Sequence, residues 1–109
     1  MISFNGEEWR VHFVSPLHPQ LDQGYGNFAL GVCDDNLKEI YVNKNLKGGI
    51  MKKVLAHELT HAAAFSYNID LDYEEHEFLA DFVASNGKKI IEITDNIFKN
   101  YKKKIREVR

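Results

Sequence analysis

With 109 residues, 44% hydrophobic and 12% aromatic, the chain is long enough for one domain with a real core and too short for two. A formal net charge of −2 gives no global reason to expect nucleic acid or a membrane surface as partner. No window approaches the apolar length of a transmembrane helix, "MISFNGEEWR" lacks the features of a signal peptide, and the single cysteine, Cys33, excludes an internal disulfide or a multi-cysteine zinc site. The expectation is a single cytoplasmic domain spanning residues 1–109.

"EWRVHFV" alternates large apolar side chains at Trp9, Val11 and Phe13, the pattern of a half-buried strand. "SPLHPQLDQGYGN" holds both prolines and two glycines and reads as a surface loop. Phe28–Cys33 and Lys38–Asn43 flank Asp34-Asp35-Asn36 and read as a hairpin, with Gly31 marking a bulge or a close backbone approach. Gly48-Gly49 then precedes a helix of about eighteen residues with Val54, Leu55, Leu59, Ala62 and Phe65 at helical spacing. Asp72 with Glu75 makes an acidic capping box for a second helix. Leu79, Phe82 and Val83 are its expected core stripe, and Asn86-Gly87 its end or kink. From Ile90 a terminal amphipathic helix follows, with Ile93, Ile97, Tyr101, Ile105 and Val108 on one face and lysines on the other. Strands followed by helices make the class α+β, a small antiparallel-type sheet packed on the first helix.

That first helix contains "HELTH", His57 to His61. Residues one turn apart share a helix face, so His57 and His61 aim both imidazoles at one point, as two ligands of a tetrahedral metal must. Glu58 projects beside them, placed to take a proton from water at an open coordination position. Two histidines on an exposed face would need no such explanation. This helix, however, is rich in alanine and leucine, and burying three polar groups without partners is costly.

A catalytic zinc needs a third protein ligand. The three-histidine extension of the motif fails, because Ala64 and Tyr67 occupy its glycine and histidine places. A carboxylate from "YEEHEFLADF" is the economical choice. Glu75 is better used at the cap. Glu77 and Asp81 stand one turn apart with the small Ala80 between them, and Glu74 shares the face of Glu77. Taken alone, an acidic first turn is simply what the helix dipole favours.

"VLAHELTHAAAF … EEHEFLADFVAS" resembles the gluzincin type of zincin, and more narrowly the ImmA/IrrE family of small metallopeptidases found in phages and mobile elements. The likeness covers about Lys38 to Gly87. It implies His57, His61 and Glu77 as zinc ligands, Glu58 as general base and Asp81 as the partner of His57. It further implies a small sheet whose edge strand pairs with an extended substrate, the role expected of Phe28, Ala29, Leu30, Gly31 and Val32. The implied activity is zinc-dependent endopeptidase cleavage of a protein, such as a DNA-binding repressor encoded nearby. The alternative is a binding protein of the same fold that captures a regulatory partner without cutting it. His76 has no assigned role; it either packs on His61 or faces solvent. Tyr25, Tyr73, His12 and His18 are candidates by residue type alone for stabilising an oxyanion. The basic tail "FKNYKKKIREVR" reads as the wet side of a helix, and direct nucleic-acid binding is not expected.

Overall fold

The computed structural model describes residues 1–108, with side chains through Arg106. β1 (Ile2–Phe4) and β2 (Glu7–Val14) form an antiparallel hairpin. Its turn, Asn5-Gly6, has φ of 51° and 79°, the doubly left-handed geometry that suits the right-handed twist of paired strands. β1 lies outside the elements expected from the sequence, although Asn-Gly is a strong hairpin signal.

The proline-rich stretch is more ordered than the loop expected of it. A 3-10 turn at Pro19–Leu21 buries Leu21 completely. A short ribbon follows, β3 (Asp22–Gly24) paired with β4 (Asn27–Phe28). Phe28 therefore belongs to this ribbon, and Ala29 and Leu30 connect it to the next strand. The expected strand Phe28–Cys33 is corrected to β5, Gly31–Asp34.

β5 pairs antiparallel with β6 (Glu39–Asn43), as the hairpin pattern indicated. β6 then lies parallel to β2, from Arg10 opposite Glu39 to Val14 opposite Asn43. The order β1-β2-β6-β5 makes a mixed sheet rather than an antiparallel one. The physical reason is the long excursion between β2 and β6, which brings the chain back along β2 in the same direction.

Trp9, Ile40 and Val42 project from one face of the sheet and are fully buried against Ala62 of α1 (Gly48–Ser66). At the far end of α1, the Trp9 indole N–H donates to the buried Ser66 hydroxyl at 2.8 Å, so sheet and helix are joined by a satisfied polar contact as well as by apolar packing.

The Asp72–Glu75 capping box forms as expected: each side chain accepts the other's backbone N–H, at 2.9 and 3.1 Å. It opens α2 (Tyr73–Val108), one continuous helix of 36 residues where two were expected. Glycine within a helix costs about 1 kcal/mol relative to alanine, too little to end a helix that lysine, isoleucine and glutamate carry onward. The face that α2 turns toward α1 carries the fully buried Ala80, with His76, Glu77 and Ala84 half-buried. Phe82 and Val83 are exposed, correcting the stripe expected of them. Ile90, Ile93, Ile97 and Tyr101 are likewise exposed, and the Val108 side chain lies outside the described residues. Among those residues no helix is long and apolar enough to cross a membrane.

Candidate metal centre

Because α2 packs through small residues, its first two turns lie close to the middle of α1. His57 and His61, one turn apart on α1, point their Nε2 atoms at each other across 3.1 Å. Glu77 of α2 completes the triangle, with Oε1 2.9 Å from His61 Nε2 and Oε2 3.4 Å from His57 Nε2. A tetrahedral zinc with bonds of about 2.0–2.1 Å separates its ligand atoms by about 3.3 Å. Each ring faces a different Glu77 oxygen, and with one donor atom taken from each residue the three lie within 4.8 Å of one another, so the donor set can hold a metal ion.

The rings are held from behind. His57 Nδ1 lies 2.8 Å from Asp81 Oδ1, so the ring donates there and presents its Nε2 lone pair to the triangle. His61 is buried, and burial is the main force lowering its pKa, with Glu77 opposing. The neutral ring is thereby favoured. One proton on His61 would satisfy a single edge of the triangle; a divalent cation satisfies all three. Glu74, the other carboxylate on the Glu77 face, is exposed and outside this group.

Glu58 stands beside the trio rather than in it. It is 7% exposed, and burial drives its carboxyl up to about 7, with His57 opposing and Glu77 adding to the rise. Its position depends on Gly31: a Cβ there would lie 2.7 Å from Val54 Cγ1 and 3.1 Å from Glu58 Oε2. Gly31 marks a close approach, not a bulge. It lets β5 run directly over the Glu58 carboxylate.

β5 is an outer strand of its sheet, so the edge expected from the resemblance lies beside Glu58, but shorter and shifted. Of the five residues expected to form it, Gly31 and Val32 do; Phe28, Ala29 and Leu30 do not. Open clefts flank Glu58 on both sides. One, about 370 Å³, is walled by Cys33, Phe65, Leu71, Tyr73 and His76; the other, about 290 Å³, by Leu30, Gly31, Lys53, Val54 and Asp81. Burial, with Glu58 nearby, pushes the Cys33 thiol up to about 12, which leaves it a poor nucleophile.

Sequence reasoning did not assign Phe65 or Leu71 to the site. Phe65 had a signal, since it stands one turn beyond His61; Leu71, in the inter-helix loop, had none. Among the oxyanion candidates, Tyr73 lines the larger cleft. His12 and His18 instead lie against the Tyr41 ring, with centroids 5.0 and 5.5 Å away, on the opposite face of the sheet. Tyr25 is fully exposed at the ribbon turn.

Comparison with models of known protein families, with curated proteins and with solved structures gave no match.

Proposed function

We propose that the chain is a zinc-dependent endopeptidase acting on an extended segment of a protein substrate, a minimal enzyme resembling the gluzincins. One observation carries this reading: two imidazole nitrogens and a carboxylate converge, with contacts of 2.9–3.4 Å, beside a buried carboxyl that does not join them. A purely structural site would give Glu58 no use.

His57, His61 and Glu77 would hold the ion, and zinc bound there would supply Lewis acidity toward water and the scissile carbonyl. The donor set of two histidines and one carboxylate suits zinc. Glu58 takes the proton from the attacking water on a carboxylate oxygen and returns it to the departing amine, so its protonation state is restored at each turnover. In the metal-free protein burial raises this carboxyl; a bound dication would oppose that and favour the carboxylate that accepts the proton. The free edge of β5 binds the substrate backbone as an added strand, with side chains falling into the clefts on either side of Glu58. A repressor encoded nearby is the first substrate to try.

The test is to incubate zinc-loaded protein with that repressor and with a library of unstructured peptides, and to find new N-termini by mass spectrometry. Wild type is expected to create them. Glu58→Gln should keep its metal and lose about 10²–10⁴-fold in rate. Cleavage by the variant at the wild-type rate contradicts the mechanism, and an intact partner held equally by both proteins favours capture without cleavage.

A further inference from the structure

We propose that His76 is a positioning residue for the metal centre, accepting a hydrogen bond from His61 Nδ1–H and so presenting His61 Nε2 to the ion; this rests on reading His57, His61 and Glu77 as that centre. The two Nδ1 atoms are 2.9 Å apart. The ring planes differ by 22° and the centroids lie 5.1 Å apart. Two imidazoles joined edge to edge through such a bond have this centroid spacing, whereas rings stacked face to face with Nδ1 over Nδ1 would have their centroids much closer.

His76 is itself held in place. Its backbone N–H donates to Asp72 O at 2.9 Å in the first turn of α2, and the Phe65 ring packs on it with centroids 4.7 Å apart. The geometry fixes the chemistry. When His61 binds metal through Nε2, its hydrogen is on Nδ1, so the facing His76 Nδ1 must offer a lone pair. His76 then carries its own hydrogen on Nε2.

The two ligand histidines are thus supported differently. His57 leans on the carboxylate of Asp81 and His61 on a neutral ring. An uncharged acceptor orients His61 without adding a fourth carboxylate to Glu58, Glu77 and Asp81. Sequence reasoning left His76 without a role because its contact spans two helices.

The test compares zinc affinity of full-length wild type, His76→Phe and His76→Asn by chelator competition at fixed pH. Phenylalanine keeps the ring and its packing on Phe65 but accepts no hydrogen bond; asparagine places an oxygen near where Nδ1 was. His76→Phe is expected to bind about 10–100-fold more weakly. His76→Asn should recover most of that loss. Affinity of His76→Phe equal to wild type overturns the proposal, as does equal weakening in both variants. If a variant misfolds, nitrogen-15 NMR of zinc-loaded wild type decides. Hydrogen on His61 Nδ1 and His76 Nε2 supports the assignment, and hydrogen on His76 Nδ1 overturns it. Wild type that binds no zinc removes the metal-centre reading itself, a result distinct from any of these.

Discussion

Replacing Gly31 with alanine adds one methyl group at the tightest point between β5 and α1. That carbon would sit 2.7 Å from Val54 Cγ1, 3.0 Å from Glu58 Cγ and 3.1 Å from Glu58 Oε2. Carbon atoms pack best at about 3.5–4.0 Å, so the first contact is short by nearly 1 Å. Val54 cannot easily swing aside, because a β-branched side chain on a helix has one strongly preferred rotamer. The strand must lift or Glu58 must move. Overpacking of this kind costs about 1–3 kcal/mol, read from urea unfolding of the metal-free protein. Because the clash falls on the proposed general base and the proposed substrate edge, peptide cleavage should fall as well. Gly31→Ala combined with Val54→Ala should cost less than the sum of the two by about 0.5 kcal/mol or more, since the second change removes the obstructing methyl. A Gly31→Ala protein with wild-type stability and cleavage would refute the close approach and the role given to it.

Two further predictions concern the acids around the trio. In the metal-free folded protein Glu58 titrates near 7, well above its ordinary value of 4.5, so the folded state holds this proton more tightly than the unfolded chain. Its contribution to stability is therefore fully present below about pH 4 and is lost as pH rises through 7, by about 2–4 kcal/mol in all. Glu58→Gln should lack that decline, as followed by urea unfolding across pH 4–8, and identical slopes in the two proteins would contradict the assignment. Asp81 is largely exposed, so Asp81→Ala should change stability by less than about 1 kcal/mol. Because its carboxylate lies 2.8 Å from His57 Nδ1, the proposed orienting contact, the same change should weaken zinc binding about 10–100-fold by chelator competition; equal affinity would show that this contact orients nothing.

The residues that converge at the site were legible because local periodicity places them. His57 and His61 share a face at one-turn spacing, and Glu77 and Asp81 repeat the device on the next helix. The capping box could be read for the same reason, since both its members lie within four residues. What could not be read depends on distant partners. The parallel pairing of β2 with β6 joins segments separated by a ribbon and a hairpin, and no local pattern reports it. The stripe expected at Phe82 and Val83 failed because α2 packs through Ala80, its apolar side turned outward. Asn86-Gly87 carries a stop signal, but with no proline nearby it costs less than the helix gains by continuing. The Phe28–Cys33 strand was overextended because Phe28 pairs backward with Asp22 instead of forward.

Titrating metal-free protein with cobalt(II), followed by its visible absorption, tests the central claim most directly, because four-coordinate cobalt absorbs far more strongly than six-coordinate cobalt. The predicted result is one ion per chain with the intense tetrahedral spectrum, displaced by zinc and lost in both His61→Ala and Glu77→Ala. A wild-type protein that takes up no ion, or one whose spectrum survives removal of His61, would contradict it.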